Sequence, residues 1–352
     1  MNKPINRQLR KRFPSYLLLI IFLISITSIT IFGAHKTSGC YPILRTGVNS
    51  RALAMGGSYV AISNDYSSPY WNPAGITKAG QAYLGGMNLD RFGLGLNFNY
   101  ISAGISLTSP PLNKYLGSFD LKTFPVEDFS AAGTYMGFAS ELQAVDAAGE
   151  KTNLITYREN LFIATAGIRL HHLGSIGFSV KNYRLRAPNC DASSGDATAN
   201  GFGLDIGYQV EPRKNLVFGA AMFDIGDSTI EWVNTSTEPE NAVPTRFSTG
   251  LAYTLPVEIP LASDPEPSEI TVSGQYTTSQ EMDKFSGGME CRVWLFSLRA
   301  GVIRRDECDF QLTAGAGVNT GLFTLDTAWL QNNSLKAENA TDTAVLSIEF
   351  RF

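Results

Sequence analysis

Apolar and polar residues alternate along most of this chain with a period of two. The last ten residues read T-A-V-L-S-I-E-F-R-F. Ala344, Leu346, Ile348, Phe350 and Phe352 fall on one face, and Thr343, Val345, Ser347, Glu349 and Arg351 on the other. Side chains two apart share a face only in an extended strand. The same alternation recurs at 94–100, 162–170, 203–210, 245–255, 270–276, 310–319 and 323–329. In 203–210, Leu204, Ile206, Tyr208 and Val210 oppose Gly203, Asp205, Gly207 and Gln209. A strand of a soluble sandwich shows Lys and Glu on its wet face. Here the opposing row is mostly Gly, Ser, Thr, Asn and Gln, which suits a crowded barrel interior. Counting runs from about residue 81 gives roughly a dozen to fifteen strands, and an even 14 is expected.

The pattern therefore predicts an all-β fold, a transmembrane antiparallel β-barrel. Short links at 171–174 and 211–215 read as tight turns. Ala187–Gly201, Ile230–Pro244, Pro256–Ser268 and Gln331–Asp342 read as longer loops rich in Asn, Asp, Ser, Thr, Glu and Pro. Short turns at one end and long loops at the other are the outer-membrane arrangement. An apolar row ending on an aromatic C-terminal residue marks the closing strand. Phe350 and Phe352 are expected to serve as the insertion signal read by the barrel-assembly machinery. The segment Pro110–Gln143, with three prolines and irregular apolar spacing, fits no strand and reads as a loop or a small helical insertion.

The N-terminus differs in kind. Lys3, Arg7, Arg10, Lys11 and Arg12 precede an almost wholly apolar run from Tyr16 to Phe32, and small residues follow to Gly39. This reads as a signal peptide, residues 1–39, rather than a membrane anchor. Thr37-Ser38-Gly39-Cys40 loosely resembles a lipobox, so Cys40 is either lipidated or follows an ordinary cleavage. Beyond residue 39 the chain carries 22 basic against 32 acidic residues, a net of −10. That balance, and the absence of basic patches with interleaved aromatics, speaks against nucleic acid as a partner. After residue 40 no apolar run reaches helix-spanning length. Cys40, Cys190, Cys291 and Cys308 lack metal-site spacing. Cys291 and Cys308 are either bridged or free thiols.

Residues 47–76 break the alternation: G-V-N-S-R-A-L-A-M-G-G-S-Y-V-A-I-S-N-D-Y-S-S-P-Y-W-N-P-A-G-I. Gly56-Gly57 marks a tight backbone position, Asn64-Asp65 a turn, and Asn72-Pro73 a stop. Residues 40–80 are read as a compact plug, or hatch, inside the lumen, and residues 81–352 as the barrel. Arg51, Gly56, Gly57, Tyr59, Asp65, Tyr70, Trp71, Asn72, Pro73 and Ala74 are the candidates for plugging or gating; the plainer reading is that they only fold the plug, with Arg51 and Asp65 as a buried ion pair.

This segment resembles the N-terminal signature of the PorV/PorQ group, within the FadL-like superfamily of outer-membrane barrels. The match runs through Arg51, Ala52, Met55, Gly56, Gly57, Val60, Ala61, Asp65, Trp71, Asn72, Pro73, Ala74 and Gly75; position 54 is Ala where Gly is frequent. The resemblance implies a 14-stranded barrel in the outer membrane of a Gram-negative-type bacterium. It also implies passive uptake of hydrophobic small molecules such as long-chain fatty acids, with lateral exit into the bilayer. PorV-type members instead hold secreted proteins for type IX secretion, and the signature does not separate the roles. A purely structural surface barrel is a third reading.

No enzyme is expected. There are three His, of which His171-His172 sits at a turn, and no G-x-S-x-G or phosphate loop occurs. His172 beside a strand Ser is the one hydrolase arrangement available, against a plain turn pair. Asp191–Asp196 is an acidic stretch able to catch Ca²⁺, against a plain solvated loop. No cofactor or metal is expected. The partners expected are the lipid bilayer and a hydrophobic small molecule.

Overall fold

A computed structural model describes residues 42–108, 126–145, 150–191, 195–235, 240–257, 268–280, 282–305, 310–332 and 341–352. Cys40, Cys308 and residues 1–39, with the signal-peptide and lipobox readings, lie outside them. The strands are β1 (Ala82–Arg91), β2 (Leu96–Thr108), β3 (Val126–Val145), β4 (Lys151–Leu170), β5 (Gly174–Asp191), β6 (Gly195–Arg213), β7 (Leu216–Phe223) and β8 (Ser228–Val233). They continue as β9 (Glu240–Val243), β10 (Arg246–Val257), β11 (Ser268–Ser279), β12 (Met282–Val293), β13 (Phe296–Arg305), β14 (Gln311–Asn319), β15 (Phe323–Leu330) and β16 (Thr343–Arg351). All pairings are antiparallel, β16 closes on β1, and fourteen strands form a complete ring. β8 and β9 are a hairpin added to the start of β6. The ring leaves no sheet edge, the condition for a sheet to cross a bilayer.

The terminal strand behaves as its alternation requires. Ala344, Leu346, Ile348 and Phe350 are exposed on the outer face, and Val345, Ser347 and Glu349 are buried inside. Across β1 to β6 the outer face carries a row in register: Leu84, Ala103, Gly133, Ala164, Val180 and Leu204. Four residues further along lies a polar row: Asn88, Asn99, Gly137, Asn160, Arg184 and Asn200. Its members bond sideways: Asn88 Nδ2 donates to Asn99 Oδ1 (2.7 Å), and the Tyr135 hydroxyl to Asn160 Oδ1 (2.8 Å). A polar belt above apolar rows marks where the lipid ends. β3 to β6, at 18–20 residues, continue past it, whereas β13 to β16 have 8–10. One side of the wall is therefore tall and the other short.

Three expectations change. Residues 126–143 of the ill-fitting segment belong to β3, most of 187–201 belongs to the β5–β6 hairpin, and 230–233 and 240–243 of the expected 230–244 loop lie in β8 and β9. All three stretches include wall above the belt, where no lipid selects an apolar row. The sorting of long and short links is also incomplete. Connections 109–125 and 258–267 leave from the end that holds the C-terminus, alongside the tight turns at 171–173 and 294–295. The lumen face is set by glycine. A β-carbon on Gly288 would lie 2.5 Å from the Met55 carbonyl oxygen, on Gly250 2.9 Å from Val60, on Gly167 2.9 Å from Ile76, and on Gly315 2.5 Å from Ala54. Gly177, Gly207, Gly219 and Gly301 are closed off by the same segment. Wall backbone thus meets plug backbone directly at β5, β6, β7, β12 and β13, and plug side chains at β4, β10 and β14.

Gly288→Ala is expected to cost about 1–3 kcal/mol of stability, the usual penalty for overpacking. Gly133→Ala, where nothing lies within 4 Å, is expected to be neutral or slightly stabilising. Urea unfolding of the refolded barrel in detergent, followed by its heat-dependent shift on gels, distinguishes the two.

Candidate functional site

The plug begins with α1 (Pro42–Arg45) and α2 (Ser50–Ala54). Asn49 caps α2 through a positive φ of 70°, its side chain accepting from Arg51 N–H. Gly56 and Gly57 follow at φ 67° and 70°, two successive left-handed residues that only glycine adopts without strain. A turn at 59–67 leads to α3 (Ser68–Trp71) and a 3-10 helix (Pro73–Lys78) that delivers the chain to β1.

Asp65 organises the plug. It accepts from Asn49 Nδ2 (2.8 Å), from Ser67 N–H (2.9 Å) and from the Tyr59 hydroxyl. Burial raises the Tyr59 phenol well above its ordinary pKa, so it stays a donor. Arg51 reaches Asp65 only at 3.9 Å. Its main partner is across the lumen: Nε donates to Glu290 Oε2 at 2.7 Å and Nη2 to Oε1 at 3.3 Å. Burial alone would depress the guanidinium; Glu290, Tyr59 and Asp65 outweigh it and hold its pKa above the ordinary value. Arg299 continues the network, Nε to Glu290 (3.2 Å) and Nη1 to Asp326 (2.6 Å). Sequence reading found Arg51 and Asp65 but missed Glu290, Arg299 and Asp326. Their signal was a charged residue at a lumen parity of a strand.

The remaining candidates divide into two groups. Asn72 Nδ2 donates to Val60 O (2.8 Å) and Tyr208 O (3.1 Å), Pro73 lies on Gly177 and Gly207, and Ala74 is wholly buried. These three join plug to wall. Tyr70 and Trp71 stack edge to face at 5.0 Å; Trp71 Nε1 donates to Val48 O and the Tyr70 hydroxyl to Leu44 O. With Gly56 and Gly57 they form the floor of a cavity of about 280 Å³ on the side away from the C-terminus. Tyr59 is behind this floor, fully buried, 6.0 Å from Trp71. The plug also bridges the closing seam: Asn49 N–H donates to Met87 S, Ser50 N–H to Ser347 Oγ and Tyr66 N–H to Glu349 Oε1.

The cavity is walled by Leu44, Leu53, Phe223, Val243, Ile303 and Leu330, and by Arg45, Arg91, Arg246, Lys284 and Arg305. It reaches the wall at Asp224, where β7 ends. There the ladder with β6 breaks. Ile206 pairs with Met222 and Gly201 with Ile230, five steps along β6 against eight on the opposing strand, so three residues are surplus. Ile225 N–H to Leu204 O bridges the break. Asp224 turns inward, held by Lys181 Nζ (2.9 Å), the Tyr183 hydroxyl (2.6 Å) and Ser228 Oγ (3.0 Å). Outside it, Phe202 and Leu204 are 69% and 54% exposed on the outer face.

Other expectations are placed as follows. Cys291 is a free thiol near the β12–β13 turn, while the connection carrying residue 308 leaves the opposite end of β13. His171 contacts Glu127, and Asp196 is held by Arg186. No group of metal-ligating side chains occurs among the described residues.

A closed fourteen-strand wall around an N-terminal plug defines a plugged membrane β-barrel. No known protein family matches the chain and no curated relative matches it. Solved structures do. The CymD monoaromatic hydrocarbon channel superposes with a TM-score of 0.55 at 13% identity, over 89% of this chain and 99% of that one. The P. putida toluene transporter TodX gives 0.50 at 14%, over 87% and 99%. A Pseudomonas aeruginosa FadL homologue gives 0.50 at 10%, over 86% and 98%. The likeness establishes the fold.

Arg51→Ala is expected to cost about 3–5 kcal/mol, because it leaves Asp65 buried without a cation and Glu290 with Arg299 alone. Removing both charges in Arg51→Ala/Glu290→Ala is expected to cost less than the sum of the single changes. Urea titration of the three variants and the parent, read as a double-mutant cycle, measures this coupling.

Proposed function

We propose that this chain is an outer-membrane channel that takes up hydrophobic small molecules by passive diffusion. The observation that carries this reading is the cavity over Tyr70 and Trp71, whose wall includes Asp224 at the broken ladder. Ligand enters at the mouth opposite the C-terminus, rests on the aromatic floor, and leaves sideways where β6 and the β7–β8 strand lose register. An apolar ligand gains nothing from a wet lumen and much from the bilayer beside it. The CymD and TodX channels, whose descriptions name monoaromatic hydrocarbons and toluene, support the class by fold. A long-chain fatty acid fits the same route with its carboxylate among the cavity cations and its tail through the break. A secretion or attachment role draws on the signature at 51–76 alone.

Deleting Ile225–Asp227 removes the three surplus residues and restores an unbroken register; residue 224 then pairs with outward Leu204, so the deletion is combined with Asp224→Leu. The variant is expected to fold as a heat-modifiable barrel, to fractionate with outer membranes, and to lose at least about tenfold in uptake of a labelled apolar solute into proteoliposomes. Uptake at the parent rate would overturn lateral exit. Failure of the parent protein to move any apolar solute would overturn the channel reading.

A further inference from the structure

We infer that the outer wall of β1 to β5 holds one lipid of the leaflet facing away from the C-terminus, a lipid whose headgroup carries a phosphate monoester. The site lies outside the lumen and is independent of what the channel carries. Its lower part is a trough of about 570 Å³ in the outer face. One row in register makes it: Leu84, Ala103, Gly133, Ala164 and Val180, across five neighbouring strands. Bulky side chains stand at the two ends and small ones between, so the surface dips in the middle. A β-carbon on Gly133 would meet nothing within 4 Å. Tyr135 and Phe162, their rings 5.3 Å apart, wall the trough on the side of the polar belt. In a bilayer an acyl chain fills such a recess, because an empty one forfeits the contacts of its lining.

What singles out one lipid is the charge above the trough. Arg184 belongs to the belt and is exposed on the outer face, its guanidinium 5.4 Å over the Phe162 ring. Its Nε donates to Asn182 Oδ1 (2.9 Å), and no bond uses its Nη donors among the described residues. Arg158 is exposed on the same face, opposite Arg186 across the β4–β5 ladder and diagonal to Arg184. Asp196 occupies Arg186. Glu141, diagonal to Arg158 and one outer position further from the lipid, forms no ion pair with it. Arg158 and Arg184 each lie seven residues below the strand ends at Lys151 and Asp191. That is roughly 20 Å down the wall, at the lipid boundary and not at the level of the loops. Diagonal neighbours are about 7–8 Å apart, so both guanidinium forks reach one phosphate. A monoester, with a charge approaching about −2, answers both arginines; a diester answers one.

The test uses the full-length protein in neutral detergent, read by native mass spectrometry. Three lipids with the same acyl chains are titrated in: phosphatidic acid, phosphatidylglycerol and phosphatidylcholine. One phosphatidic acid per barrel is expected to bind at least about tenfold tighter than phosphatidylcholine, with phosphatidylglycerol between. Arg158→Gln/Arg184→Gln is expected to abolish this preference and to leave a heat-modifiable barrel, since both side chains are exposed. Gly133→Leu fills the trough from the lipid side and is expected to weaken phosphatidic acid by at least about fivefold. Equal retention of the three lipids by the parent, or a preference unchanged in the arginine variant, overturns the inference. Phosphatidic acid binding unchanged by Gly133→Leu does so too, because the trough would then hold no chain. A dimer that Gly133→Leu dissolves would put a second copy in the trough and would equally refute the lipid site.

Discussion

Everything in this molecule depends on the contact between the backbone of the plug and the backbone of the wall. Ordinary barrels of this size keep side chains in the lumen. Here glycines remove them at several points where Met55, Val60, Pro73 and Ile76 come up against a strand. The fit tolerates no slack, because an added methyl meets carbonyl and amide atoms that have nowhere to go. The plug is therefore a part of the core and not an inserted stopper. It accounts for much of the buried apolar surface, including Tyr59, Tyr66, Trp71 and Ile76.

Charge is divided by the same plug. Behind it, Arg51, Glu290, Arg299 and Asp326 neutralise one another through short bonds that tie plug to strands β12, β13 and β15. In front of it, Arg45, Arg91, Arg246, Lys284 and Arg305 line the cavity, with Asp224 the one carboxylate among the described residues. The first cluster is a fastening, since each member loses its compensation if another moves. Aromatic rings floor the second, so the two sides of a thin partition perform different work.

Much of this was legible in the sequence. Strand alternation in β6, β10, β14 and β16 gave wall and the polarity of each face, because lipid enforces an apolar outer row. Gly56-Gly57, Asn72-Pro73 and the break in alternation gave the plug. Legibility failed where lipid no longer selects, in β3 and β5 above the Asn88–Asn200 belt, and in lower β3, where the outer row is Ala131 and Gly133 and the inner row includes Met136, so apolarity does not alternate. It failed again for the cavity. Arg91, Arg246, Lys284 and Arg305 lie at the ends of four different strands, and only the shear of the barrel brings them together. The kink at Asp224–Asp227 was equally hidden, since Gly226 and two aspartates read as an ordinary turn.

The plug also touches both strands of the closing seam, Asn49 on Met87 of β1, and Ser50 and Tyr66 on Ser347 and Glu349 of β16. A ring closed around a fixed object inherits its circumference from that object. A wall of twelve strands would be too tight to admit the plug backbone, and one of sixteen would stand away from it and strand its polar groups. The N-terminal segment thus serves as the mandrel on which the barrel is sized. Strand number is specified by a segment that contributes no strand.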